Sequence, residues 1–374
     1  MRTPAATLAP PEFLAPKLLD SNRTLDLRET RRLIRVVLFR VGSQFRICSL
    51  LVAFVAAVVA LAPGVAGATE RALRDHLYDV DFVTPKLGWV VGAFGTIART
   101  EDGGASWHRE PSGTVENLFG VDFVDSEHGW AVGRAGTILS RGADGRWKKQ
   151  ESGTQRHFFQ VAALDDHRVW VVGDWGAIFY TEDGGETWQD RSLPEDVILN
   201  DIFFLDGERG WIVGEFGSIF VTKDGGKTWE RQESGVEKTL FGVFFADENR
   251  GWAVGLDNVL LRTEDGGGSW LLERGRATSG SLERMGFLEA LTNPSLYAVE
   301  VVGDLGIVVG DMGTILVSRD GGRTWEREDV PDEWALRWIR ALSLVPGSPA
   351  GGALVGSGGL TIPVDGGKLR YPDR

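Results

Sequence analysis

Acidic side chains that return at one spacing are the first candidates for chemistry in this chain. Asp102, Asp183, Asp224, Asp265 and Asp320 each open an Asp-Gly-Gly turn that leads into Trp107, Trp188, Trp229, Trp270 and Trp325. A worn copy, Asp144-Gly145, precedes Trp147, and Asp365-Gly366-Gly367 has no Trp after it. Carboxylates are common general acids and bases, so these turns could supply a catalytic proton. Their repetition argues against it, because one geometry set around a ring cannot converge on one substrate. A turn Asp accepts bonds from nearby backbone N–H groups, Gly takes the unusual backbone angles, and the Trp packs between sheets. The turns are read as structural fastenings, and no residue is assigned a catalytic role. Calcium would find too few oxygen ligands in one such turn, so neither a metal nor a cofactor is expected.

Other reactive side chains are few. Cys48 is the only cysteine, which removes disulfides, thiol chemistry and Cys-based metal sites from residues 69–374. His76, His108, His128, His157 and His167 lack metal-ligand spacing and read as surface residues of turns.

The elements that carry these residues repeat with them. Successive Trp residues of the turns lie 40, 41, 41, 41 and 55 residues apart. A period near 40 marks a chain built from copies of one four-stranded unit. Upstream of each turn stands a second phrase, as in Gly88-Trp89-Val90-Val91-Gly92 or Gly129-Trp130-Ala131-Val132-Gly133. Trp170, Trp211 and Trp252 keep it, Ile307 replaces the Trp, and Ala353 to Gly356 is a seventh, weaker instance. Leu118 to Val124 alternates apolar residues as a half-buried strand does. Strands then follow at Trp130–Val132 and Thr137–Ser140, and a charged edge strand starts at Trp147. The pattern predicts an all-β fold, a seven-bladed β-propeller of four-stranded antiparallel blades over residues 69–374.

Residues 1–68 form a leader. Ile47 to Ala62 carries no charge, follows Arg40 and Arg46, and ends before the small-residue site Ala66-Gly67-Ala68. This is the pattern of a secretory signal cleaved after residue 68, with an uncleaved inner-membrane anchor or a later translation start as alternatives. An exported protein of the periplasm, or of a thylakoid lumen in a phototroph, is expected. The whole chain has a formal net charge of −13, and residues 69–374 alone carry −18. So acidic a surface excludes nucleic acid and an anionic membrane surface as partners.

Phe-x-Asp, Gly-Trp-x-Val-Gly-x-x-Gly-Thr-Ile and Asp-Gly-Gly-x-Thr-Trp together resemble the photosystem II stability/assembly factor family, Asp-box propellers of seven blades. The resemblance is tightest from Leu118 to Gly133 and from Leu240 to Gly255, and it covers about residues 76–367. It implies a non-enzymatic assembly chaperone that holds a protein client, an envelope or membrane complex, through a basic patch. The acidic charge departs from that patch, and no arginine set is carried over. Asp boxes also occur in sialidases and some endoglucanases, so a glycoside hydrolase is the rival, with an accessory subunit of an envelope transport system as a further alternative. A sialidase needs a Tyr nucleophile paired with Glu; here only Tyr297 and Glu300 are close, and an extended strand would turn them to opposite faces.

Partner binding is placed on the face opposite the Asp boxes, where the turns between second and third strands lie. Phe94, Arg134, Asp174, Trp175, Glu215, Phe216, Asp257, Asp311 and Met312 stand in those turns. Trp175, Trp334 and Trp338 are the Trp residues that the repeat leaves unexplained, and Arg337 lies beside the last two. Aromatic and Arg anchors are what protein interfaces favour. An insertion at about 278–293, with Leu282, Met285, Leu288 and Leu291 at helical spacing, is expected on the same face. A monomer is expected.

Overall fold

The computed structural model describes residues 73–275, 293–345 and 351–371. They form seven four-stranded antiparallel sheets, each with its strands side by side in chain order. Blade 1 runs Leu77–Phe82, Gly88–Gly92, Ile97–Thr100 and His108–Glu110 from the innermost strand outward. The inner strands of blades 2 to 7 are Leu118–Phe123, Phe158–Ala163, Leu199–Phe204, Leu240–Phe245, Leu296–Val302 and Ile339–Val345. The propeller read from the period is therefore present, with seven blades. Most fourth strands begin one residue after the Trp, as at His108, Gln189 and Glu230. The leader and the insertion at 278–293, bar Asn293, lie outside the described residues.

Burial explains why the second strands are continuous apolar runs: Gly88–Gly92 and Gly129–Gly133 are buried at every position, sandwiched by the neighbouring blades. Seven apolar clusters result, one at each interface between blades. Trp89 lies flat on Phe123 of the next blade at 3.7 Å, and Trp211 on Phe245 at 3.6 Å. Such stacked pairs add about 0.5–1.5 kcal/mol each to the area they bury.

The two repeated phrases meet across these interfaces. Trp130 donates its indole N–H to the Gly184 carbonyl, Trp211 to Gly266 and Trp252 to Gly322, each in the Asp-box turn of the following blade. Within a box, the Asp224 carboxylate accepts the Thr228 N–H and hydroxyl, and Thr222 donates to it while accepting the Gly226 N–H. Asp102, Asp183, Asp265 and Asp320 repeat this arrangement. The carboxyls of Asp183 and Asp224 are held down to about 2, chiefly by the Thr181 and Thr228 hydroxyls. These aspartates are spent on their own turns.

Among the described residues, blade 1 and blade 7 are each made from consecutive strands, so neither borrows a strand from the other. Closure rests on packing of Leu77, Val80, Phe82 and Trp107 against Ala341, Val345, Ala353 and Val355. A bond from the Phe82 N–H to the Ser343 hydroxyl at 3.0 Å joins the two inner strands.

Candidate protein-binding face and central channel

The face opposite the Asp boxes is built from seven equivalent tight turns. Each begins at a glycine that ends the second strand, where the backbone passes close to the loop entering the same blade. A Cβ on Gly92 would sit 2.1 Å from the His76 carbonyl oxygen, so nothing larger fits. The next N–H, that of Ala93, donates to that same carbonyl, and the Thr96 N–H closes the turn on Ala93. The residue at the apex is left-handed in every blade: Phe94, Ala135, Trp175, Phe216, Asp257 and Met312, with φ from 54° to 59°, and Gly358 in blade 7.

That conformation costs an L-residue with a bulky side chain roughly 1–2 kcal/mol. Three apices nonetheless carry large aromatic rings, and those rings are left in solvent: Phe94 is 74% exposed, Trp175 65% and Phe216 68%. Arg134, also exposed, stands in the blade between Phe94 and Trp175. Aromatics at such positions bury little apolar area while bearing the cost of the left-handed backbone.

The remaining residues expected on this face divide differently. Asp174 accepts the His157 N–H at 2.8 Å and Glu215 the Ile198 N–H at 3.1 Å, so both brace the loop entering their blade. Asp257 forms a partly buried ion pair with Lys238 at 2.5 Å. All three carboxylates expected to face a partner are thus engaged within the protein. Asp311 bonds the Tyr297 hydroxyl, and Met312 is half-buried. Trp334 corrects the expectation of a surface anchor: it is 6% exposed and packs on Tyr371 at 5.4 Å. Its short turn, Asp332–Trp334, folds the ring back under the loop. Arg337 reaches the Ser357 carbonyl, and the half-buried Trp338 stacks on Tyr78 at 5.9 Å and an interplanar angle of 6°.

Trp338 roofs the edge of a channel that the sequence reading did not identify. Each inner strand has a register shift after its first residue, as between Leu77 and Asp79. The shift turns both the second and third residues inward, and the fifth follows. Three layers result. At the mouth stand Tyr78, Phe119, Phe159, Asn200, Phe241, Tyr297 and Arg340. Asp79, Gln160 and Asp201 come next, and below them Asp81, Asp122, Glu300 and Ser343. The channel encloses about 450 Å³.

Its carboxylates satisfy backbone groups that the ring geometry leaves open. Asp79 accepts the Val121 N–H, Asp81 that of Phe123, and Asp122 that of Ala163, each in the next blade. Asp201 does the same for Val243 and Glu300 for Leu344. Burial pushes Asp79 up to about 7 and Asp122 and Asp201 up to about 6. Asp81 and Glu300 are driven well above the carboxylate range, by burial first and by neighbouring carboxylates second. Tyr297 and Glu300 also share this channel, not opposite faces, because the register shift falls between Leu296 and Ala298. Burial and Asp311 raise the Tyr297 hydroxyl to about 12, the wrong direction for a nucleophile.

The overall geometry matches known propellers. A structure of YCF48 bound to a D1 peptide superposes with a TM-score of 0.61 at 20% identity, covering 77% of this chain and 93% of that one. YCF48 from Cyanidioschyzon merolae superposes with a TM-score of 0.59 at 16% identity, covering 77% and 95%. A GH74 xyloglucanase from Xanthomonas campestris gives 0.59 at 13% identity, covering 79% of this chain but 52% of the enzyme. These likenesses establish the fold. No curated protein matches the chain in sequence. The family described as photosynthesis system II assembly factor YCF48 matches at residues 68–139, 111–190, 139–235 and 232–336. Its matches span most of the chain in overlapping copies, and the chain belongs to that family.

Proposed function

We propose that this propeller is an exported, non-catalytic assembly factor that holds an extended polypeptide of a membrane complex on the face opposite its Asp boxes. The observation that carries the reading is the trio Phe94, Trp175 and Phe216, exposed at strained turn apices. Family membership supports a protein client, and one YCF48 is bound to a D1 peptide. The acidic charge of residues 69–374 favours a client segment that is neutral or basic. The leader supports action outside the cytoplasm, in the periplasm or a thylakoid lumen, as a monomer. N-terminal sequencing of the exported protein tests that part; a start well before Thr69 would contradict cleavage.

Binding is tested by titrating fluorescent D1 peptides into the purified protein. Micromolar binding that weakens about tenfold or more in Trp175→Ala and Phe216→Ala supports the reading. Binding unchanged in both variants would remove this face from the account. Hydrolysis of a fluorogenic sialoside or of xyloglucan would overturn the absence of catalysis.

A further inference from the structure

The channel mouth breaks the sevenfold repeat at a single charged position. Five of the seven equivalent residues are aromatic, blade 4 supplies Asn200, and blade 7 supplies Arg340. The Arg340 guanidinium lies 4.4 Å from the Tyr297 ring and 5.5 Å from Phe241. Burial works against its charge, while Tyr297, Asp79 and Asp201 in the channel and Asp311 beside Tyr297 favour it. Stacking on rings engages the faces of a guanidinium and leaves its N–H donors in the plane for a planar acceptor. Beside it, Tyr78, Phe119, Phe159 and Trp338 wall a cavity of about 290 Å³. Its size approaches the lower end of small-molecule sites, as does its make-up of apolar walls with few polar groups.

We propose that the channel mouth is a binding site for a small aromatic monocarboxylate, its carboxylate forked on Arg340 and its ring against Tyr78, Phe159 and Trp338. One cation matches one anionic group. A second negative charge on the ligand would face Asp79 and Asp201 one layer deeper, with no further cation among the described lining residues to meet it. A cationic ligand would meet Arg340 first. The site is independent of the polypeptide reading, because it uses the pocket below the turn apices and not the apices themselves.

The titratable groups around the pocket predict how it responds to acid. Tyr78, Asp79 and Asp81 face it from blade 1, Asp122 from blade 2 and Asp201 from blade 4. Tyr297, Glu300 and Asp311 face it from blade 6, and His76 lies behind Trp338 at 5.2 Å. Neutralising Asp79 and Asp201 removes the repulsion nearest the ligand, so binding tightens several-fold between pH 8 and pH 5.5.

The experiment is calorimetric titration of the purified full-length chain with 2-naphthoate and, separately, with the uncharged 2-naphthamide. The site predicts that naphthoate binds about tenfold or more tightly than the amide and that Arg340→Gln abolishes the difference. Equal affinity for the two compounds, no heat from naphthoate at millimolar concentration, or unchanged binding by Arg340→Gln would each overturn it. If Arg340→Gln fails to fold, a structure of the wild-type chain soaked in naphthoate decides: the carboxylate lies on Arg340, or the proposal is wrong.

Discussion

Replacing Asp122 by Asn should make the propeller more stable, and only at neutral and alkaline pH. Asp122 is walled in by the inner strands and accepts the Ala163 N–H of the next blade at 2.6 Å. Burial raises its carboxyl from 3.8 to about 6, and its charge helps to raise Asp81 in turn. A carboxyl raised on folding holds its proton more tightly in the native state. Its full stabilisation is present below the unfolded value and is lost as pH rises through the folded one. At ~1.4 kcal/mol per pH unit the charged form costs about 3 kcal/mol above pH 6. An effective dielectric near 20 inside proteins lowers this figure, so ~1.5 kcal/mol is expected. Asn keeps an oxygen for the Ala163 N–H and cannot ionise, and it also relieves Asp81. Denaturant unfolding at pH 4, 6 and 8 should show coincident midpoints at pH 4 and a gain for the variant by pH 8. In a thermal scan that gain corresponds to roughly 2–4 °C. The Asp-box carboxyls respond in the opposite sense and lower, their contribution being lost as pH falls from 3.8 through about 2. His128, raised by Asp125, is common to both proteins and cancels in the difference. Parallel curves for the two proteins from pH 4 to pH 8, or a less stable variant at pH 8, would refute the reasoning.

Asp224→Ala removes the acceptor of the Thr228 N–H and of two hydroxyls, and chemical denaturation should show a loss of about 1–2 kcal/mol. Trp175→Gly relieves a left-handed non-glycine residue whose ring is in solvent, so thermal unfolding should be unchanged or up to ~1 kcal/mol more favourable to the folded state while peptide affinity falls. Trp334→Ala empties a packed position against Tyr371 and should cost about 3 kcal/mol by the same assay, with peptide affinity unchanged in the fraction that stays folded. Ser343→Ala removes the hydroxyl that meets the Phe82 N–H at ring closure, and hydrogen exchange should speed up in the inner strands of blades 1 and 7 ahead of the others.

The blades were legible because each carries its own evidence several times over. One worn copy, Asp144-Gly145, could be placed by its neighbours, and so could the weak blade at Ala353 to Gly356. The turn apices were legible for the same reason, since their position in the repeat fixes which face they occupy. What a side chain does there was not. Asp174 and Glu215 share a slot with Arg134, yet they cap backbone groups of the loop beside them, a contact between segments some seventeen residues apart. Trp334 sits in a loop without period, so nothing in its neighbours announced that a short turn buries it. The channel escaped notice because an inner strand reads as ordinary alternation, with Asp79 and Asp81 in polar positions that normally face water. Only the register shift after the first residue brings second, third and fifth positions to one axis. The same shift reunited Tyr297 with Glu300.

The central claim is that a polypeptide docks on the face opposite the Asp boxes. A photoreactive benzophenone side chain placed at Phe216, and separately at the exposed Lys227 beside an Asp-box turn, tests it most directly with a bound D1 peptide. A crosslinked peptide is expected from position 216 and none from position 227. Crosslinks from position 227 alone would contradict it.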